Sequence, residues 1–243
     1  MPFAEASPQE EFSLAVERMA VRALDALDSV GGADATAAPT VLMRGSTADL
    51  AAVRVLGADL FAPYLLTGAP LHAELVEAVA MADAFRAFPP EQLTAQQTTA
   101  PSVVGWRDWA TGELLSRCGL PLLVHPAADA PQAALDHSET TWQDWSLWMA
   151  KLSPLAVPGL DSPVHEAARR GLRALGRGTV RAMLRRDYRT AARTARWLAL
   201  GQASGLDSPL QLEPLFRHMQ LFGGPSARTA LDIRVGEQLA VRR

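Results

Sequence analysis

The chain has 243 residues, 49% of them hydrophobic and 20% charged, which is enough to bury a core as one large domain or two small ones and excludes wholesale disorder. Cys118 is the single cysteine, so an internal disulfide is excluded and a reducing, cytoplasmic setting is expected. The net charge of −3 conceals a split: residues 1–163 carry 8 basic and 20 acidic side chains, whereas residues 164–200 carry ten arginines against Glu166 and Asp187. Such polarity weighs against a general nucleic-acid binder and suits either a steered partner or two halves of the chain held together.

The elements are expected in this order. Ser7-Pro8-Gln9-Glu10 is a helix start with a capping box, followed by Phe12, Val16, Met19, Ala20, Leu24 and Leu27 at helical spacing. Gly31–Thr40 reads as a small-residue linker. Ser46 caps a second helix running to about Ala62, with Leu50, Val53, Leu56 and Leu60 inward and Pro63 ending it. A third helix fits Pro70–Phe88, with Leu71, Leu75, Val79, Ala82 and Phe85 inward. Glu91–Val104 is irregular, and Trp106 and Trp109 open a short helix ending near Cys118-Gly119. Leu120–Val124 and, more weakly, Val41–Met43 are candidate short strands, and Ala127–Ser138 is a loop or a short helix. Thr140 or Thr141 caps the helix that carries Trp142, Trp145 and Trp148.

The last third contains one regularity. Gly159-Leu160-Asp161-Ser162-Pro163 recurs as Gly205-Leu206-Asp207-Ser208-Pro209, and each copy is followed by helix, glycine and helix. That pattern predicts either two like hairpins, Asp161–Arg186 and Asp207–Asp232, capped at Ser162 and Ser208 or at the aspartates before them and packed on the rest of the chain, or a generic helix start that occurs twice. The expected fold is therefore all-α or nearly so, of about eight to ten helices. An acidic part occupies residues 1–155, and a solenoid-like hairpin part occupies 159–243 with its basic segment at 164–200.

Catalytic signatures are missing. Lys151 is the only lysine, so there is no phosphate-loop lysine, and no Gly-x-Ser-x-Gly, His-Glu-x-x-His or Cys-x-x-Cys occurs. Cys118, with His125 the nearest histidine, reads as a small buried residue rather than a nucleophile. The His72, His165 and His218 regions could converge on a non-haem metal, but no Glu-x-x-His spacing supports a helical metal site, and no cofactor is expected. The chain opens without a basic-then-apolar run, and no apolar stretch is read as approaching the roughly 20 residues of a membrane helix, so no membrane association is expected.

Two features point to interaction. Trp142, Trp145 and Trp148 lie on a slowly drifting helical stripe, where large aromatics serve either a core or a binding groove. Arg177, Arg181 and Arg185 share one face at spacing four, and Arg186, Arg189, Arg193 and Arg196 share another. The candidate counter-charges, Asp25 and Asp28, Glu74 and Glu77, and Asp136, Glu139 and Asp144, form only small clusters. Arg181, Arg185, Arg189 and Arg193 are therefore expected to be largely exposed, with fewer than half paired within the chain. The leading functional expectation is a non-enzymatic adaptor or accessory subunit that binds an acidic protein partner through Arg177, Arg181, Arg185, Arg189, Arg193, Arg196, Trp142, Trp145 and Trp148. A helical metalloenzyme and a nucleic-acid-binding protein are the alternatives.

Overall fold

The computed structural model of the protein describes residues 7–29, 45–90, 102–122 and 139–242. The expected linker at Gly31–Thr40, the strand at Val41–Met43, the loop at Ala127–Ser138, His125, His137 and most of Glu91–Val104 lie outside them. The fold is all-α. Eleven α-helices are present among the described residues: α1 (Pro8–Ser29), α2 (Thr47–Leu56), α3 (Ala62–Thr67), α4 (Val76–Ala87), α5 (Val103–Arg117), α6 (Glu139–Lys151), α7 (Pro163–Arg170), α8 (Leu172–Leu184), α9 (Tyr188–Ala203), α10 (Leu212–Phe222) and α11 (Ala227–Val241). Residues 120–122 form no strand, and the rest of that expected strand lies outside the described residues.

The caps account for several boundaries. At α1 the Ser7 N–H donates to Glu10 Oε2 at 2.8 Å and the Glu10 N–H donates back to Ser7 Oγ at 3.2 Å, which is the expected capping box. Ser46 and Asp49 form a second one at α2. Here the chain departs from the single helix expected to Ala62. Gly57 adopts φ 58° and ends α2, a tighter 3-10 turn covers Gly57–Phe61, and α3 follows. Pro63 does not stop a helix. It sits in the first turn of α3, where its missing N–H costs no hydrogen bond. Likewise α4 begins at Val76 rather than Pro70, and it buries Ala78, Met81, Ala84 and Phe85 while Val79 faces solvent. These breaks explain why there are more helices than expected.

The repeated Asp-Ser-Pro sequence does not produce repeated hairpins. In the first copy the helix starts at Pro163 and breaks at Gly171, and Gly176 lies inside α8. In the second, helix α10 starts three residues beyond Pro209, at Leu212, and runs on to Phe222. Neither serine caps in the expected way: Ser162 Oγ pairs with His165 Nδ1 at 2.8 Å, and Ser208 Oγ donates to the Leu210 carbonyl at 2.8 Å. Identical start signals therefore lead to helices of different length and register, set by what each packs against.

One hydrophobic cluster extends from Ala15 in α1 to Leu239 in α11, so the acidic and basic parts share a core. Helix α1 lies on α2 and α11, and Glu17 ties it to the α11 start by accepting from the Ala227 N–H at 2.6 Å. Helix α9 is central, packing on α6, α8, α10 and α11. Its alanines at 191, 192, 195 and 199 are all buried and permit close approach, while Trp197 fills the space against α6 and donates Nε1–H to the Met149 carbonyl at 2.9 Å. Residues Thr47–Thr67 are long and apolar enough to cross a membrane by length and composition, contrary to the sequence reading. Most of the stretch is buried within the fold, and it carries the ion-paired Asp59.

Candidate functional site

Helical periodicity divides the arginine segment into an outer and an inner set. On α7, Arg169 pairs with Glu166 and with Asp161 just ahead of the helix, and Arg170 pairs with Glu166. On α8, Arg173 and Arg177 face solvent and Arg181 is half-buried. The Arg177 guanidinium lies over the Trp142 ring, 4.4 Å from its centroid. Arg185, Arg186 and Arg189 are exposed and meet no carboxylate within ion-pair distance among the described residues. Arg193 turns inward and donates from Nε to Asp232 at 3.1 Å. Arg196 is fully buried and donates to Asp59 at 2.6 Å, to Asp232 at 3.2 Å and to the Ala156 carbonyl at 3.0 Å. Arg193 and Arg196 therefore do not belong to an outward docking face. Two turns of α9 carry the arginine stripe from the surface into the core. Arg181, expected to be largely exposed, is half-buried.

The tryptophan stripe divides in the same way. Trp145 is buried, its ring pressed against Gly171, where an added Cβ would stand 2.1 Å from the indole. It is a packing residue and leaves the binding set. Trp142 and Trp148 are half-buried. Trp142 lines a groove of about 620 Å³ with Arg173, Gly176, Arg177, Val180, Arg181, Leu184, Pro209 and Leu210. Its walls are apolar, its rim is basic, and Leu184 is 81% exposed.

Sequence reasoning missed a buried ionic cluster. Asp59, Asp232, Arg196 and Arg228 are each at most 5% exposed, and they bring together the 57–61 turn, α9 and α11. Asp59 stands 3.6 Å from Arg228, and Ser153 Oγ donates to Asp232 at 3.0 Å. Beside them Asp108 takes a bidentate grip from Arg54, and Arg107 donates to the Val55 carbonyl. Burial raises the Asp232 carboxyl, but Arg193, Arg196 and Arg228 outweigh it and hold it below the usual range. Burial and the positive charge of Arg228 push Arg107 down to about 10. The sequence signal was a lone aspartate inside an apolar run, Asp59 in Leu56–Phe61; Asp232 has apolar neighbours only at Leu231 and Ile233, with Arg234 next to them.

The three histidines considered for a metal stand apart. His72 is exposed ahead of α4. His165 is buried, with Nε2–H donating to the Leu155 carbonyl at 3.0 Å, and burial lowers its pKa. His218 stacks between Tyr188 and Phe222. Among the described residues no group of three or more potential metal ligands is assembled. Cys118 is buried, which raises its thiol pKa. Comparison with known protein families, curated proteins and solved structures gives no match.

Proposed function

We propose that this protein is a helical binding subunit that docks an acidic, amphipathic segment of a protein partner in the groove of Trp142, Val180, Leu184, Pro209 and Leu210. The supporting observation is the pairing of chemistries at one place: apolar walls, with Leu184 81% and Val180 43% exposed, beneath a rim of Arg173, Arg177 and Arg181. An amphipathic helix laid in such a groove buries its apolar stripe on the walls and presents carboxylates to the guanidiniums. The apolar contact supplies residence time, and the rim supplies steering and discrimination against basic partners. Exposed Arg185 and Arg189 extend the positive field beyond the groove.

The test is fluorescence anisotropy with a labelled amphipathic acidic peptide, its charge-reversed counterpart and a scrambled control. Selective binding of the acidic helix is expected, together with loss of binding in Leu184→Asp and a salt-sensitive weakening in Arg173→Glu/Arg181→Glu. Unchanged binding in all of these variants, or equal binding of the basic peptide, refutes the reading. A single-stranded oligonucleotide in the same assay separates docking of a protein from attraction to any polyanion.

A further inference from the structure

A second cavity, of about 370 Å³, lies among the 157–160 loop, α7, the start of α8 and the last turn of α9, and no residue lines both it and the groove. Its inner surface is buried: Val157 and Trp197 are at most 1% exposed and His165 is 2% exposed. Leu160, Leu172 and Leu200 add aliphatic wall. The rings of His165 and Trp197 meet edge to face, with their centroids 5.4 Å apart. Three of the lining side chains that carry polar atoms have already committed their donor hydrogens. Trp197 donates its indole N–H to the Met149 carbonyl. His165 donates Nε2–H to the Leu155 carbonyl, which leaves Nδ1 to accept from Ser162 Oγ at 2.8 Å. Ser204 Oγ donates to the Leu200 carbonyl at 2.9 Å. The side-chain donors that remain are the guanidiniums of Arg169 and Arg242, both on exposed residues, and no carboxylate lines the cavity. Asp161 and Glu166 compensate Arg169. Arg242 donates to the Leu65 carbonyl at 3.0 Å and meets no carboxylate within ion-pair distance among the described residues.

We infer that this cavity binds a small aromatic carboxylate, with its ring system against Trp197 and His165 and its charge at Arg242. One uncompensated cation matches a monoanion, and the planar fork of a guanidinium matches the plane of a carboxylate. The volume sets the size of the apolar body. A cavity of about 150 Å³ holds benzene, so 370 Å³ suits a body of about two fused rings. A buried apolar floor with a charged group at the solvent side is the ordinary arrangement of a small-molecule site, in which the floor supplies affinity and the charge fixes orientation. The site stands independently of the groove on α6 and α8.

The experiment is isothermal titration calorimetry of the full chain with naphthoate, its uncharged analogue naphthalenemethanol and the cationic naphthylmethylamine. Binding of naphthoate at a single site, tighter than the alcohol and much tighter than the amine, supports the proposal. Arg242→Gln, at an exposed position, should weaken naphthoate several-fold and leave the alcohol unchanged. Ala203→Trp fills the cavity from the half-buried end of α9 and should abolish binding of both. Leu184→Asp, which disables the groove, should leave both unchanged, so that the two sites fail separately. Equal binding of the three probes, binding of none, or loss of naphthoate in Leu184→Asp but not in Ala203→Trp overturns the proposal. If Ala203→Trp does not fold, Arg242→Gln decides: an unchanged preference for naphthoate over the alcohol refutes the site.

Discussion

Replacing Asp59 by asparagine keeps its shape and removes its charge from a site that water does not reach. Asp59 is fully buried, accepts from Arg196 at 2.6 Å and stands 3.6 Å from Arg228. A surface ion pair contributes about 0–1 kcal/mol, whereas deleting one partner of a buried pair costs about 3–5 kcal/mol because the other charge is stranded. Asp232 still accepts from Arg196 at 3.2 Å, so some compensation survives and the low end applies, about 3 kcal/mol. For a domain of this size that lowers the melting temperature by about 6–12 °C. Urea unfolding at pH 7 followed by helical circular dichroism measures it, with the midpoint falling and the slope unchanged. Asp59→Leu should be no better, because the cations remain. Adding Arg196→Met to Asp59→Leu should recover part of the loss, and a double-mutant cycle gives the coupling. A cost for Asp59→Asn below about 1 kcal/mol would falsify the reasoning, since the cluster would then have to be as well solvated as a surface pair.

Other outcomes follow from the same geometry. The Asp232 carboxyl is held below its unfolded value of about 3.9, so its contribution is full above that pH and is lost as pH falls through the folded value; Asp232→Asn should lower stability at pH 7 and flatten this acid limb in urea titrations. His165 is held neutral below its unfolded value of about 6.5, so stability should decline as pH falls below 6.5, and a His165→Gln variant that keeps the same decline refutes this assignment. Gly236→Ala gains about 1 kcal/mol of helix propensity but places a Cβ 2.4 Å from the Phe216 ring, and overpacking of about 1–3 kcal/mol should win; calorimetric stabilisation by this variant contradicts the packing described. Trp145→Ala should cost about 3–5 kcal/mol, and the half-buried Trp142 should cost under about 2 kcal/mol while its replacement removes peptide binding.

Local chemistry was legible in the sequence. Ser7 with Glu10, and Ser46, announce helix starts through interactions that span three residues, and the helical spacing of apolar side chains gives the fold class without any knowledge of the partners. The Arg177 and Arg181 side of the candidate groove was legible for the same reason, because side chains at spacing three and four share a face wherever the helix is placed. Only the tertiary structure decided where those faces turn. It sent Arg193 and Arg196 inward onto Asp59 and Asp232, aspartates 137 and 36 residues from Arg196 along the chain. It pressed Trp145 onto Gly171, and it converted two identical Asp-Ser-Pro starts into helices of different register. A capping box or an apolar stripe is written within one turn of helix. The burial of a charge depends on which distant helix brings its counter-ion, and that partner is fixed only when the whole core closes.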